Sequence, residues 1–179
     1  MPEIKIRLAR EEDLELLIEL EHTYTSSNVW QMDIKQDENI IGVNFRDVRL
    51  PRVVQFNYPR SPKDLYASWQ QSPIVFVGSI DSYPVSYIYL DEDATTGLVR
   101  VRDVVVSLEK RRQGIASGLI LASEEWACRR ERIYMILEMQ SKNNPAINLA
   151  KKLGYQFCGF QDQYYPNHDL ALFFGKSIR

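Results

Sequence analysis

Hydrophobic and polar positions alternate or recur along this chain in a pattern that predicts a mixed α/β order. Ile4-Lys5-Ile6-Arg7-Leu8 alternates as a strand does. Glu11–His22 follows as a helix, with Leu14, Leu17 and Ile18 on one face and an acidic opposite face. Thr23–Asn39 is polar and turn-rich around Trp30, with room for a short second helix. Ile41–Arg49 and Arg52–Tyr58 alternate on either side of Pro51 and predict an extended hairpin, ended by Pro59-Arg60-Ser61-Pro62. A helix is expected over Pro62–Gln71, capped by Ser61 with Pro62 in its first position.

Ile74–Ile80 and Pro84–Leu90 predict strands around an Asp81-Ser82-Tyr83 turn, and Leu98–Val106 another. Ile115–Arg130 repeats apolar residues at helical spacing, through Ile115, Leu119, Ala122 and Trp126. Ile133–Met139 reads as a buried strand. Pro145–Leu153 is a helix capped by Asn144 and closed by Gly154. Tyr155–Phe160 and Asp169–Phe174 are the last strands.

The 179 residues suit one domain over 1–179, with no linker or repeat. Hydrophobic residues at 45% and charged residues at 26% point to a globular chain. A net charge of −2 argues against nucleic acid as a partner and tolerates a cationic one. Neither a signal peptide nor a membrane-length apolar run is visible, so a cytoplasmic location without a membrane partner is the expectation. Cys128 and Cys158 read as small core residues rather than a disulfide framework. His22 and His168 read as surface or loop residues outside metal-like spacing, so no metal is expected. Trp30, Trp69 and Trp126 read as packing residues, and Arg129-Arg130-Glu131-Arg132 as a helix end where positive charge suits the dipole.

The most informative stretch is Val104-Val105-Val106-Ser107-Leu108-Glu109-Lys110-Arg111-Arg112-Gln113-Gly114-Ile115-Ala116-Ser117. A hydrophobic strand ends, a charged turn follows and a helix opens at a glycine. Backbone N–H groups at a helix N-terminus lack internal partners and, with the helix dipole, bind phosphate. Gly114 permits close approach, small Ala116 and Ser117 leave room, and Arg111 and Arg112 add charge. A plain strand–turn–helix connection with a solvated basic turn is the alternative.

Arg111-Arg112-Gln113-Gly114-Ile115-Ala116 resembles the Arg/Gln-x-x-Gly-x-Gly/Ala signature of the GNAT superfamily of N-acetyltransferases. Asn143-Asn144-Pro145-Ala146-Ile147, Leu149 and Leu153-Gly154-Tyr155 resemble its second motif, in the matching order. The resemblance covers about Leu98–Phe160. Glu124-Glu125-Trp126-Ala127, Leu137-Glu138-Met139-Gln140 and Ala171-Leu172-Phe173-Phe174 are similar to the streptothricin acetyltransferase group. The fold this implies is a GNAT-like α/β domain: a mixed central sheet with splayed parallel strands, Leu98–Val106 and Ile133–Met139, flanking helices, and an extra hairpin near 41–58.

The resemblance also implies a chemistry. Acetyl-CoA would place its pantetheine arm along Val104, Val105 and Val106 and its pyrophosphate on Arg111, Arg112, Gln113, Gly114, Ile115, Ala116 and Ser117, with Asn143 beside it. An amine of a small molecule or peptide would attack the thioester directly. Only a neutral amine attacks, so a general base is required; Glu138 is the leading candidate and Asp103 the second. An ion pair with a nearby arginine is the competing reading of Glu138. The oxyanion would meet the N–H of Val105 or Val106. The family's usual general acid, a tyrosine, falls here at Ala150. Tyr164 and Tyr165 could supply a hydroxyl, while Tyr155 reads as core. Either another group or water serves, or the protein is an acyl-CoA-binding sensor or interaction protein with little catalysis. Tyr24, Trp30 and Asp33 are candidates for holding a cationic acceptor. The hairpin would wall the acceptor pocket or form a homodimer contact.

Overall fold

The computed structural model describes residues 3–71 and 74–178. Its strands are β1 (Lys5–Leu8), β2 (Tyr24–Asp37), β3 (Ile40–Phe56), β4 (Val75–Ile80), β5 (Tyr83–Asp93), β6 (Leu98–Val106), β7 (Tyr134–Gln140), β8 (Gln156–Gln161) and β9 (Ala171–Ser177). Its helices are α1 (Leu14–Ile18), α2 (Asp64–Gln71), α3 (Ile115–Arg129) and α4 (Asn144–Lys152).

Seven strands form one sheet in the order β1-β4-β5-β6-β7-β9-β8, while β2 and β3 form a separate pair. Among the described residues only β6 and β7 run parallel, joined by the crossover helix α3. Along β4 and β5 successive side chains turn to opposite faces. Phe76, Ile88 and Leu90 enter a core shared with Leu119 and Ile120 of α3 and Ile147 of α4. Val75, Val77, Tyr87 and Tyr89 enter a second core with Leu14 and Leu17 of α1 and Leu65 of α2. The sheet is thus covered on both faces. Between β4 and β5, Asp81 and Ser82 both take positive φ, 48° and 67°, as a two-residue hairpin turn requires.

Several expectations need correction. The expected helix over Glu11–His22 is a 3₁₀ turn, Glu11–Asp13, followed by the single short α1. Thr23–Asn39 holds no helix but the long strand β2. Trp30, Met32 and Ile34 alternate there with Gln31, Asp33 and Lys35, a period-two signal that the surrounding polar residues obscure. The hairpin therefore pairs β2 with a continuous β3, not two runs around Pro51. Pro51 is absorbed where the register slips: Ser26 faces Val54, yet Asn28 faces Arg49. That irregularity suits a residue with no N–H to donate. Asn143, not Asn144, caps α4, accepting from the Ala146 N–H at 3.1 Å. Cys128 and Cys158 are exposed rather than buried in the core. His22 is buried, not at the surface.

Among the described residues no helix is long and apolar enough to cross a membrane, and no cluster of His, Cys, Asp or Glu is arranged for a metal ion.

Candidate active site

β6 and β7 pair only from Leu98 opposite Tyr134 to Val101 opposite Leu137. Both strands continue, to Val106 and Gln140, but apart. Beside the diverging end of β6 lies a cavity of about 460 Å³, walled by Val104, Val105 and Val106, by Gly114–Ser117 at the start of α3, by Asn143, and by Ala146 and Leu149 of α4. The structure brings together every residue expected at the cofactor site except Gln113, which lies off the wall and bonds the Glu109 carbonyl.

The turn into α3 is built for an open approach. Arg112 has φ 64° and Gly114 φ 84°. Beyond its chain neighbours, no heavy atom lies within 4 Å of where a Gly114 side chain would begin, so the turn is open on that side. Arg112 is exposed beside it. Arg111 is used differently. Its Nε donates to the Val106 carbonyl at 2.9 Å, one terminal nitrogen to the Thr23 carbonyl at 2.8 Å and the other to the Glu21 carbonyl. It braces the end of β6 against the chain entering β2. Burial lowers its pKa.

Where the two strands part, Asp103 on β6 and Glu138 on β7 share one guanidinium. Arg60 bonds Asp103 Oδ1 at 3.2 Å and Glu138 Oε1 through its other terminal nitrogen, and packs 5.0 Å over the Tyr165 ring. Burial works against the charge of Arg60, but Asp103 and Glu138 outweigh it and hold its pKa up. Glu138 is fully enclosed: Tyr164 donates to Oε2 at 2.8 Å and Arg102 Nε lies 3.5 Å from the same oxygen. The ion-paired reading of Glu138 therefore holds. Both bonds to Asp103, from Tyr58 and Arg60, fall on Oδ1.

Asp103 also borders a second, polar cavity of about 430 Å³ on the far side of β6, lined by Asp64, Asp91, Tyr87 and Tyr89 among others. Here lie groups the sequence did not flag. Tyr58 hydrogen-bonds Asp103 and sits edge-on to His22, ring centroids 5.5 Å apart. His22 Nδ1 faces the Leu20 carbonyl at 2.5 Å and must be its donor, which leaves Nε2 to accept from the Tyr87 hydroxyl at 3.0 Å. Tyr58 and Arg60 come from the loop after β3, His22 from the loop before β2 and Tyr87 from the middle of β5, so no spacing links them. The one local hint was Arg60 standing between two prolines, Pro59 and Pro62.

The trio Tyr24, Trp30 and Asp33 does not converge. Tyr24 donates to Gln140 at 2.8 Å, Trp30 to Asn144 at 3.2 Å beneath the Lys151 ammonium, and Asp33 pairs with Arg46 out along the hairpin. Ala150 lies on the core face of α4, fully buried and away from every cavity described above. Tyr165 is buried and Tyr164 is spent on Glu138.

The family model described as the acetyltransferase (GNAT) family matches residues 45–155. A streptothricin acetyltransferase of Streptomyces lavendulae is 24% identical over 90% of this chain and 86% of its own length. One from Escherichia coli is 37% identical, over 35% of this chain and 36% of its own. Among solved structures, a nourseothricin acetyltransferase superposes with a TM-score of 0.84 at 20% identity, covering 98% of this chain and 99% of the other. A Bacillus anthracis protein assigned as a streptothricin acetyltransferase, solved with acetyl coenzyme A, gives 0.75 at 18% identity with the same coverage.

Proposed function

This chain belongs to the GNAT acetyltransferase family, and from that premise we propose that it moves the acetyl group of acetyl-CoA onto a primary amine of a cationic small molecule by direct attack on the thioester. Acetyl-CoA is the donor. The observation that carries the reading is a pair of cavities that border β6 and share Tyr58 in their walls. One is walled by a strand edge and a helix N-terminus, the other by three carboxylates and two guanidinium groups.

The donor cavity suits a long polar molecule with phosphates at one end. Pyrophosphate would rest on the N–H groups around Gly114, with Arg112 rather than Arg111 free to add charge. The pantetheine amides would pair along Val104–Val106, where β6 has lost its strand partner. Asp64, Asp91 and Asp103 outnumber Arg60 and Arg102 among the charged groups lining the polar cavity, and that excess favours a cationic over an anionic acceptor. Relatives whose names specify streptothricin as their substrate agree with an amine of that class.

Of the two candidate bases, Asp103 faces the polar cavity, and among the described residues its Oδ2 has no hydrogen-bond partner. It takes the proton from the acceptor. Glu138 instead fixes Arg60 and borders only a small space of about 70 Å³ between the strands. A homodimer fits the exposed Ile34, Ile40 and Ile41 near the tip of the hairpin.

Calorimetric titration with acetyl-CoA, then a thiol-release screen over mono- and polyamines, tests this reading. Binding with turnover on a cationic amine is the expected result. Binding without turnover on any amine would replace the transferase reading with an acyl-CoA sensor, and absence of binding would remove both.

A further inference from the structure

Tyr58 lines the donor cavity, the polar cavity and the small space between β6 and β7, and among the described residues no other lines all three. Its hydroxyl bonds Asp103 Oδ1, and its ring is held edge-on by His22. It borders both the space proposed for the donor and the space proposed for the acceptor.

Transfer of an acetyl group from a thioester to an amine breaks a C–S bond and forms a C–N bond. The sulfur leaves with the electron pair and takes up a proton; an acceptor bound as an ammonium releases two, one to solvent before it attacks as the neutral amine and one as the amide forms. A group that touches both partners can link the two events. The other hydroxyls nearby do not qualify. Tyr24 lines only the donor cavity and bonds Gln140, Tyr87 lines only the polar cavity and bonds His22, and Tyr164 is held by Glu138.

Resting on the proposed acetyl transfer, we infer that Tyr58 is the proton donor to the departing thiolate and that Asp103 restores it with the proton drawn from the amine. The proton released as the amide forms goes to Asp103, the Tyr58 proton goes to sulfur, and the carboxylic acid on Asp103 reprotonates the tyrosinate. The enzyme returns to its starting state, with one nitrogen proton delivered to sulfur and the other already lost to solvent. Neither residue suffices by itself. Burial first, and Asp103 with it, holds the Tyr58 hydroxyl well above its usual range, so giving its proton to a thiolate is uphill on its own. Return of a proton from Asp103 removes that deficit, which is why the pair is hydrogen-bonded. The position of Ala150 on the core face leaves this role open from α4.

The test compares wild type with Tyr58→Phe and Asp103→Asn. The thiol of bound coenzyme A is titrated by the ultraviolet absorbance of its thiolate, and steady-state rates are measured with a responsive amine. Tyr58→Phe keeps the ring against His22 and removes only the hydroxyl. It is expected to raise the pKa of the bound thiol and lower kcat about 100-fold, with KM for acetyl-CoA changed less than about threefold. Asp103→Asn should lower kcat by a similar factor. A bound thiol that titrates identically in wild type and Tyr58→Phe overturns the inference, as does a kcat within about threefold of wild type. If wild type binds coenzyme A but acetylates no amine, the transferase reading fails, while the thiol titration still decides the role of Tyr58. Circular dichroism of both variants separates loss of the hydroxyl from loss of fold.

Discussion

Asp103 and Glu138 stand on parallel strands that have already separated, and both are bonded to the guanidinium of Arg60. The strands stop pairing at Val101 and Leu137, one residue before Arg102 and Glu138, so Arg60 replaces the missing hydrogen bonds with a charged cross-link from the loop after β3. Removing one partner of a buried pair leaves the other charge uncompensated. Arg60→Met should therefore destabilise the protein by about 3 kcal/mol in urea denaturation. Adding Glu138→Gln to that variant should recover more than half of the loss. A loss below about 1 kcal/mol would show that Arg102 alone satisfies Glu138.

Gly114 separates two effects at one position. Its φ of 84° penalises any side chain, but nothing within 4 Å obstructs one. Gly114→Ala should cost about 1 kcal/mol of stability through backbone strain. Gly114→Asp adds a negative charge where the pyrophosphate would lie and should weaken acetyl-CoA at least tenfold by calorimetry. Unchanged affinity in Gly114→Asp would move the phosphate site elsewhere.

The two neighbouring arginines should part company. Arg112→Ala should weaken acetyl-CoA several-fold, more at low salt than high, and leave the melting temperature unchanged. Arg111→Ala loses bonds to three backbone carbonyls and should lower the melting temperature. Equal effects of both changes on affinity alone would refute the bracing role of Arg111.

His22 gives the protein a pH dependence of known sign. Burial lowers its pKa below 6.5, against the opposing pull of the Leu20 carbonyl and Asp103. As pH falls through 6.5 the unfolded chain takes up a proton that the folded one refuses, so stability drops until the folded value is reached. The slope from this one group is at most about 1.4 kcal/mol per pH unit. Chemical denaturation of His22→Gln across the same range should show a shallower dependence than wild type; an equal slope would exonerate His22.

What the chain's pattern reveals and conceals follows from range. β6, the turn into α3 and the Asn143–Gly154 helix are local, and each was legible because capping, glycine placement and apolar period act within a few residues. The carboxylates Asp103 and Glu138 were also legible, as polar residues in apolar strands. Their shared partner was not. Arg60 lies 43 residues before one and 78 before the other, and only the sheet order brings them into contact. His22 reads in the sequence as a surface or loop residue; its burial depends on Tyr58 and Tyr87 closing over it from the loop after β3 and from β5. β2 was misread for a different reason. Its alternation spans Trp30 to Lys35, but serines and an asparagine dilute it ahead of Trp30.

The early end of pairing between β6 and β7 has one more consequence. A sheet ordinarily keeps its unpaired strand edges on the outside, where they invite other chains to add strands and aggregate. This fold carries an additional pair of edges in its interior, beyond Val101 and Leu137, walled by α3 and α4. Those edges face each other across one chain and are not presented to a neighbouring molecule as an outer edge is. Inward placement keeps that surface from becoming a nucleus for self-association.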